Sequence, residues 1–90
     1  MNTQVYVIIK GKVQGVFYRS SAKEKADTLN LKGWVQNHYD GTVRAMFQGP
    51  SDTIQDMLNW CKIGPEHAAV TGIETEPIPT LDPFSDFSIR

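Results

Sequence analysis

An Asp-Gly pair at residues 40–41 is the strongest single constraint on the fold of this chain. It lies between two runs with strand composition, residues 33–37 and 42–48, and Asp-Gly in that setting is typical of a tight β-hairpin. The two strands are therefore predicted to be antiparallel neighbours. Helical patterns precede and follow the hairpin, so the pair is expected to lie between two helices.

The chain before the hairpin predicts a strand, a loop and a helix. Residues 4–10 alternate as a strand does, and residues 11–16 form a loop with two glycines. A helix is predicted to begin near Phe17 or Tyr18 and to end near Asn30, a residue type that tolerates the left-handed conformation of helix ends. Its apolar stripe consists of Tyr18, Ala22, Ala26 and Leu29.

The chain after the hairpin predicts a second helix and a further strand. We expect a helix that begins at Ser51 or Asp52, runs to about Ile63 and stops at Gly64-Pro65. A strand is expected over 70–76, with a bulge near Gly72. A loop over 77–84 and a short edge strand over 87–90 are expected to follow. The order β-α-β-β-α-β predicts an α+β fold, the ferredoxin-like α/β sandwich, with two helices on one face of an antiparallel sheet. Residues 1–90, 10.1 kDa, are expected to form a single domain.

This topology brings two distant parts of the sequence together. The first two strands are joined through a helix, so they are expected to run in the same direction, with the third strand between them. Their carboxyl ends then lie at one edge of the sheet. Residues 15–19 and Asn37 are therefore predicted to be neighbours in space.

The junction of the first strand and the first helix has the character of an anion site. Free N–H groups and the positive end of the helix dipole lie there, and Gly15 can adopt the positive φ that lets such groups converge. Arg19 falls in the first turn, where a cation is unfavourable unless an anion is shared. Residues 1–23 carry four basic and no acidic side chains. A surface arginine packed over the core is the alternative interpretation, and both remain open at this point.

Composition excludes several classes of protein. A chain that is 40% hydrophobic and 21% charged, with a net charge of −1, is not expected to be disordered. It has no apolar run near the roughly 20 residues of a membrane span and no signal-peptide pattern. One cysteine cannot form an internal disulfide, which favours a cytoplasmic location. Cys61 is expected to be inert in the core, and His38 and His67 are expected in a turn or at the surface.

Several motifs together resemble those of one protein family. They are GKVQGVFYR at 11–19, GWVQN at 33–37, Asp-Gly at 40–41, Gly49, Trp60-Cys61, Gly64-Pro65, Ala68 and the ending Phe87-x-Ile89-Arg90. In order and spacing this pattern resembles the acylphosphatase family over nearly the whole chain. Tyr18, where the family more often has Phe, and Asn30, where many members have Gly, are the departures from it.

The resemblance implies a metal-independent enzyme that hydrolyses acyl phosphates to carboxylate and inorganic phosphate. It implies that a loop of Gln14, Gly15, Val16, Phe17, Tyr18 and Arg19 holds the phosphate, that Arg19 is the catalytic arginine, and that Asn37 orients the attacking water. We expect no cofactor, no bound metal, no nucleic-acid or membrane partner, and a monomer. The sequence has no cluster of Cys and His residues of the kind that would indicate a zinc site.

The sequence allows three interpretations other than a free-standing enzyme. A non-catalytic module of the same fold would bind a small anion or regulate a partner, and would need the loop but not Asn37. An RNA-binding ferredoxin-like domain is disfavoured by the net charge and by a strand 42–48 that lacks the aromatic consensus. A domain of a larger maturation protein is less favoured than a free-standing protein, since the chain begins with Met and has a family-like terminus.

Overall fold

The hairpin at Asp40-Gly41 is formed as predicted. The computed structural model of the protein describes residues 2–79 and 82–90. His38 N–H donates to the Thr42 carbonyl at 2.9 Å, and Gly41 N–H donates to the His38 carbonyl at 3.1 Å. The elements are β1 (Asn2–Lys12), α1 (Tyr18–Thr28), β2 (Lys32–Asn37), β3 (Val43–Pro50), α2 (Ser51–Cys61), β4 (Ala69–Pro77) and β5 (Phe87–Ile89).

The five strands form one sheet in the order β4-β1-β3-β2-β5. β3 lies between β1 and β2 and is antiparallel to both, so β1 and β2 run in the same direction, as predicted. The predicted ferredoxin-like α+β fold, with two helices on one face of the sheet, is confirmed. The short last strand β5 is parallel to β2, so the sheet is mixed and not antiparallel throughout. The chain between β4 and β5 crosses from one edge of the sheet to the other. β2 and β5 are not consecutive along the chain, so no hairpin requires this pair to be antiparallel.

Residues 82–84 of the segment between β4 and β5 lie against the face of the sheet opposite the helices. The Gln48 side chain, on β3, accepts a hydrogen bond from Phe84 N–H at 3.0 Å and donates one to the Asp82 carbonyl at 3.2 Å. Pro77 belongs to β4 rather than to the predicted loop 77–84. Thr80 and Leu81, which that prediction also covered, lie outside the described residues.

The predicted bulge in the fourth strand is confirmed. Lys10 of β1 pairs with Gly72, whereas the next residue, Gly11, pairs with Val70. Thr71 is therefore the extra residue on β4, next to the predicted position.

Both helices begin and end close to the predicted positions. Phe17 is the residue before α1, and Asn30 has φ 58 beyond its end. The predicted cap at Ser51 or Asp52 is wrong, because Pro50 occupies the N-cap and no side chain caps the helix. The fixed φ of proline suits this position, and Asp52 instead accepts a hydrogen bond from Thr53 N–H at 2.9 Å.

The core lies between the two helices and one face of the sheet. α1 packs over β2 and β5, whereas α2 packs over β3 and β1. Side chains of the sheet that face the helices are fully buried, and Cys61 is buried with them, as predicted for that residue. The core includes Val7, Ile9, Tyr18, Ala22, Ala26, Val35, Val43, Ala45, Phe47, Met57 and Cys61. None of the helices in the described ranges has the length and apolarity that crossing a membrane requires.

Candidate active site

A cleft of about 290 Å³ opens at the edge of the sheet where β1 and β2 end and α1 begins. Its volume is at the lower end of the roughly 300–1,000 Å³ typical of small-ligand sites. The residues that line it are Val13, Gly15, Phe17, Tyr18, Arg19, Ser20, Asn37 and Ile89. The predicted proximity of residues 15–19 to Asn37 is therefore confirmed.

Strand parity directs Asn37 into this cleft. Val35 is fully buried on the helix-covered face of β2, and side chains two residues apart lie on the same face of a strand. Asn37 is the last residue of β2, so it lies beyond the edge of the core and is exposed. Ile89 of β5 pairs with Val35 and reaches the same side.

The loop between β1 and α1 contains two residues with left-handed backbone angles. Gly15 has φ 76, and Phe17 has φ 64 and ψ 24. A Cβ added at Gly15 would meet nothing within 4 Å, so the backbone angle and not crowding favours glycine there. Left-handed residues of this kind turn successive N–H groups toward one side, the geometry of anion-binding concavities.

The first turn of α1 provides further donors beside this loop. The N–H groups of residues 18–20 have no acceptor within the helix, since the first four amides of any helix lack one. Arg19 Nη1 donates to the main-chain oxygen of Arg90, the last residue of the sequence, at 3.3 Å. None of the ion pairs among residues 2–79 and 82–90 includes Arg19. Its guanidinium therefore has donors left for an anion in the cleft.

Gln14 connects the loop to the hairpin that follows Asn37. Its Nε2 donates to the His38 carbonyl at 2.8 Å and to the Thr42 carbonyl at 2.9 Å. Gln14 is not among the cleft-lining residues, and neither is Val16, whose side chain is buried. The Gln14 side chain thus holds the two halves of the site together, a role that the sequence prediction missed.

Asp40 organises the turn of the same hairpin. It accepts hydrogen bonds from Thr42 N–H at 3.0 Å, from Thr42 Oγ1 at 2.6 Å and from Arg44 Nη2 at 2.8 Å. These hydrogen bonds, those from Thr42 above all, hold the pKa of the Asp40 carboxyl well below its ordinary value. His38 Nδ1 lies 3.0 Å from Asp40 Oδ1, so the histidine is part of the turn, as expected.

Tyr18 fixes the start of α1 against the second helix. Its hydroxyl donates to the Cys61 carbonyl at 2.8 Å, and its ring packs against Trp60 at 5.4 Å between centroids. Burial raises the pKa of Tyr18 well above the ordinary value for tyrosine. Burial likewise raises the pKa of the Cys61 thiol to about 12, which agrees with the prediction of an inert core cysteine.

The donors in the cleft are suited to an anion rather than to a cation. They are a guanidinium, a side-chain amide and backbone N–H groups, all of which can donate hydrogen bonds to phosphate-like oxygens. Within residues 2–79 and 82–90, no group of three or more His, Cys, Asp or Glu side chains could hold a metal ion. Val13, Ser20 and Ile89 also line the cleft, although the sequence prediction did not include them in the site.

Comparison with known proteins places this arrangement in a family. The acylphosphatase family model matches residues 5–89. The chain belongs to the acylphosphatase family. It is 41% identical to the acylphosphatase of Rubrobacter xylanophilus, over 97% of this chain and 79% of that protein. It is 40% identical to the acylphosphatase of Methylococcus capsulatus, over 96% of this chain and 94% of that protein.

Solved structures of the family superpose closely on this acylphosphatase-family chain. The acylphosphatase of Coxiella burnetii matches with a TM-score of 0.94 and 40% identity, over 99% of this chain and 93% of the other. The chain also superposes on full-length HypF with a TM-score of 0.91 and 25% identity, covering 12% of that chain. Domains of this fold therefore also occur within longer chains.

Proposed function

We propose that this protein hydrolyses the carboxyl-phosphate bond of acyl phosphates, releasing a carboxylate and inorganic phosphate. The observation that carries the proposal is that Arg19 and Asn37, from distant parts of the sequence, line one cleft with the Gly15-containing loop. The family membership of the chain gives the same reaction, because relatives that match nearly its full length are named acylphosphatases.

The phosphate is held by the loop of residues 14–19. Backbone N–H groups of the loop and of the first turn of α1 surround the dianion, and the Arg19 guanidinium donates to two of its oxygens. The charge of the loose transition state lies on the phosphoryl oxygens. Donors that are already oriented stabilise that charge without reorganisation during the reaction.

Asn37 orients the water that attacks phosphorus. Its side-chain oxygen accepts a hydrogen bond from the water, so that a lone pair of the water faces the phosphorus atom. An amide is too weak a base to take the proton, which passes to a phosphoryl oxygen of the substrate. The leaving carboxylate has a conjugate acid with a pKa near 4 and departs without protonation, so no general acid is required.

The proposal includes how the protein works in solution. We propose that residues 1–90 act as a single cytoplasmic domain and a monomer, without metal, cofactor, nucleic acid or membrane. One cysteine that is buried as a free thiol suits a reducing compartment. The net charge of −1 does not favour binding to nucleic acid.

Hydrolysis of benzoyl phosphate in ¹⁸O-labelled water tests whether the reaction occurs and which atom of the substrate the water attacks. We expect one solvent oxygen in the released inorganic phosphate and none in the benzoate, since water attacks phosphorus. Label in the benzoate would show attack at the carbonyl carbon and contradict the proposed role of the loop. Phosphate binding without turnover would instead indicate the non-catalytic anion-binding module.

A further inference from the structure

Two large apolar side chains are exposed at the mouth of the cleft. Phe17 is 77% exposed and Ile89 is 43% exposed, and both line the cleft that contains Arg19 and Asn37. Apart from these two, the strongly exposed large apolar side chains in the described part of the chain are Tyr39 and Ile63, and neither lines the cleft. An apolar surface is thus concentrated beside the anion-binding groups.

The backbone holds Phe17 outward in an unfavourable conformation. Its φ of 64 lies in the left-handed region, which is rarely populated by aromatic residues. Ser20 Oγ and Ser21 N–H both donate to the Phe17 carbonyl, at 3.2 and 3.1 Å, and fix this geometry. The next side chain, Tyr18, is buried in the core. Such conformations occur most often where they serve a function.

The cleft therefore has one polar part and one apolar part. Arg19, Asn37 and the loop amides form the polar part, while Phe17 and Ile89 form the apolar part. A phosphate ion has five heavy atoms, and its volume is that of only a few water molecules, at about 30 Å³ per water. A cleft of about 290 Å³ has room for more than the phosphoryl group.

We propose that Phe17 and Ile89 form a subsite for the acyl group of the substrate. With the phosphoryl group on the polar part, the acyl group contacts the exposed ring of Phe17 and the side chain of Ile89. The subsite favours acyl phosphates with an aromatic or extended apolar acyl group over acetyl or carbamoyl phosphate, whose acyl groups are too small to cover the ring. This inference rests on the proposed function, since it concerns the same reaction.

The test compares kcat/KM for benzoyl phosphate with kcat/KM for acetyl phosphate in the wild type, Phe17→Asn and Tyr39→Asn. Asparagine tolerates the left-handed conformation, so Phe17→Asn removes the ring without imposing a new backbone angle. We expect the benzoyl-to-acetyl ratio to fall about threefold to tenfold in Phe17→Asn, the range typical of one aromatic contact, mainly through KM for benzoyl phosphate. Tyr39 is 97% exposed and lies outside the cleft lining, so Tyr39→Asn serves as the matched control and should keep the wild-type ratio.

The inhibition constant of inorganic phosphate separates the subsite from damage to the loop. Phosphate has no acyl group, so a subsite defect changes the substrate ratio more than it changes this constant. If Phe17→Asn lowers kcat/KM for both substrates and weakens phosphate inhibition by one common factor, the ring only shapes the loop and the inference is wrong. If the folded wild type hydrolyses neither substrate, the proposed function fails first, and the inference falls with it.

Discussion

Asn37 lies at the exposed end of β2, two residues beyond the buried Val35. An amide at this position can orient a water but cannot remove its proton. We predict that Asn37→Ala lowers kcat for benzoyl phosphate by about a hundredfold or more, the scale seen when one positioning or polar group is removed from an active site. The inhibition constant of inorganic phosphate should change by less than about threefold, because Arg19 and the loop remain.

Asn59 provides the control for this substitution. It lies on α2, where its side chain accepts a hydrogen bond from Gln55 at 3.1 Å. Asn59→Ala should therefore keep the wild-type kcat. An Asn37→Ala enzyme with normal kcat would remove this residue from the mechanism.

At the scale of elements, one side chain connects the two segments that form the site. Gln14 donates two hydrogen bonds to the hairpin, at 2.8 and 2.9 Å. Gln14→Met keeps a similar size but removes both donors, so we predict a loss of about 1–3 kcal/mol in the free energy of unfolding. We also predict a higher KM, because the loop is less firmly oriented. Urea unfolding and steady-state kinetics measure the two effects.

The matched control is Gln55→Met, on the exposed side of α2. It should shift the free energy of unfolding by less than about 0.5 kcal/mol, as surface substitutions usually do. If Gln14→Met and Gln55→Met behave alike, the connection between loop and hairpin does not support the site.

The stability that the Asp40 turn contributes to the fold is predicted to depend on pH. The pKa of Asp40 is lowered in the folded protein by hydrogen bonds, first of all from Thr42. A lowered folded-state pKa contributes stability that is present above the ordinary value of about 3.9 and is lost as the pH falls toward the folded-state value. The Asp40→Asn variant should therefore be less stable than the wild type at pH 7, and the difference should shrink below pH 4. The measurement is the urea midpoint of each protein as a function of pH. A stability difference between the two proteins that stays constant from pH 7 to pH 3 would contradict this account.

Helices and strands with a local apolar period could be predicted from the sequence, and so could the proximity of Asn37 to the loop. The direction of β5 could not, because three strand residues after a proline-rich stretch carry no signal of which way they run. The contact of Gln14 with the hairpin was also missed, since a bond from a side chain to a distant backbone leaves no local pattern. Ile89 lines the cleft only because β5 is parallel to β2.

At the scale of the whole molecule, the free thiol reports on cooperative unfolding. Cys61 is fully buried between α2 and the rest of the core, and burial raises its pKa to about 12. A thiol of this kind reacts only when the core opens. We predict that a thiol reagent such as Ellman's reagent labels the native protein slowly at pH 8 and labels it at once in denaturing urea. Fast labelling of the native protein would show that α2 opens independently of the sheet.

The central claim is that the cleft holds a phosphoryl group through Arg19 for attack by water. The most direct test is the steady-state hydrolysis of benzoyl phosphate, with EDTA present, by the wild type, by Arg19→Ala and by Lys62→Ala. The last variant removes one positive charge at the C-terminal end of α2, from a residue that does not line the cleft. We predict turnover by the wild type and by Lys62→Ala, and a loss of about 10³-fold or more in Arg19→Ala, the scale of arginines that stabilise phosphoryl transfer. Wild-type rates in a correctly folded Arg19→Ala variant, or no hydrolysis by the folded wild type, would contradict the account.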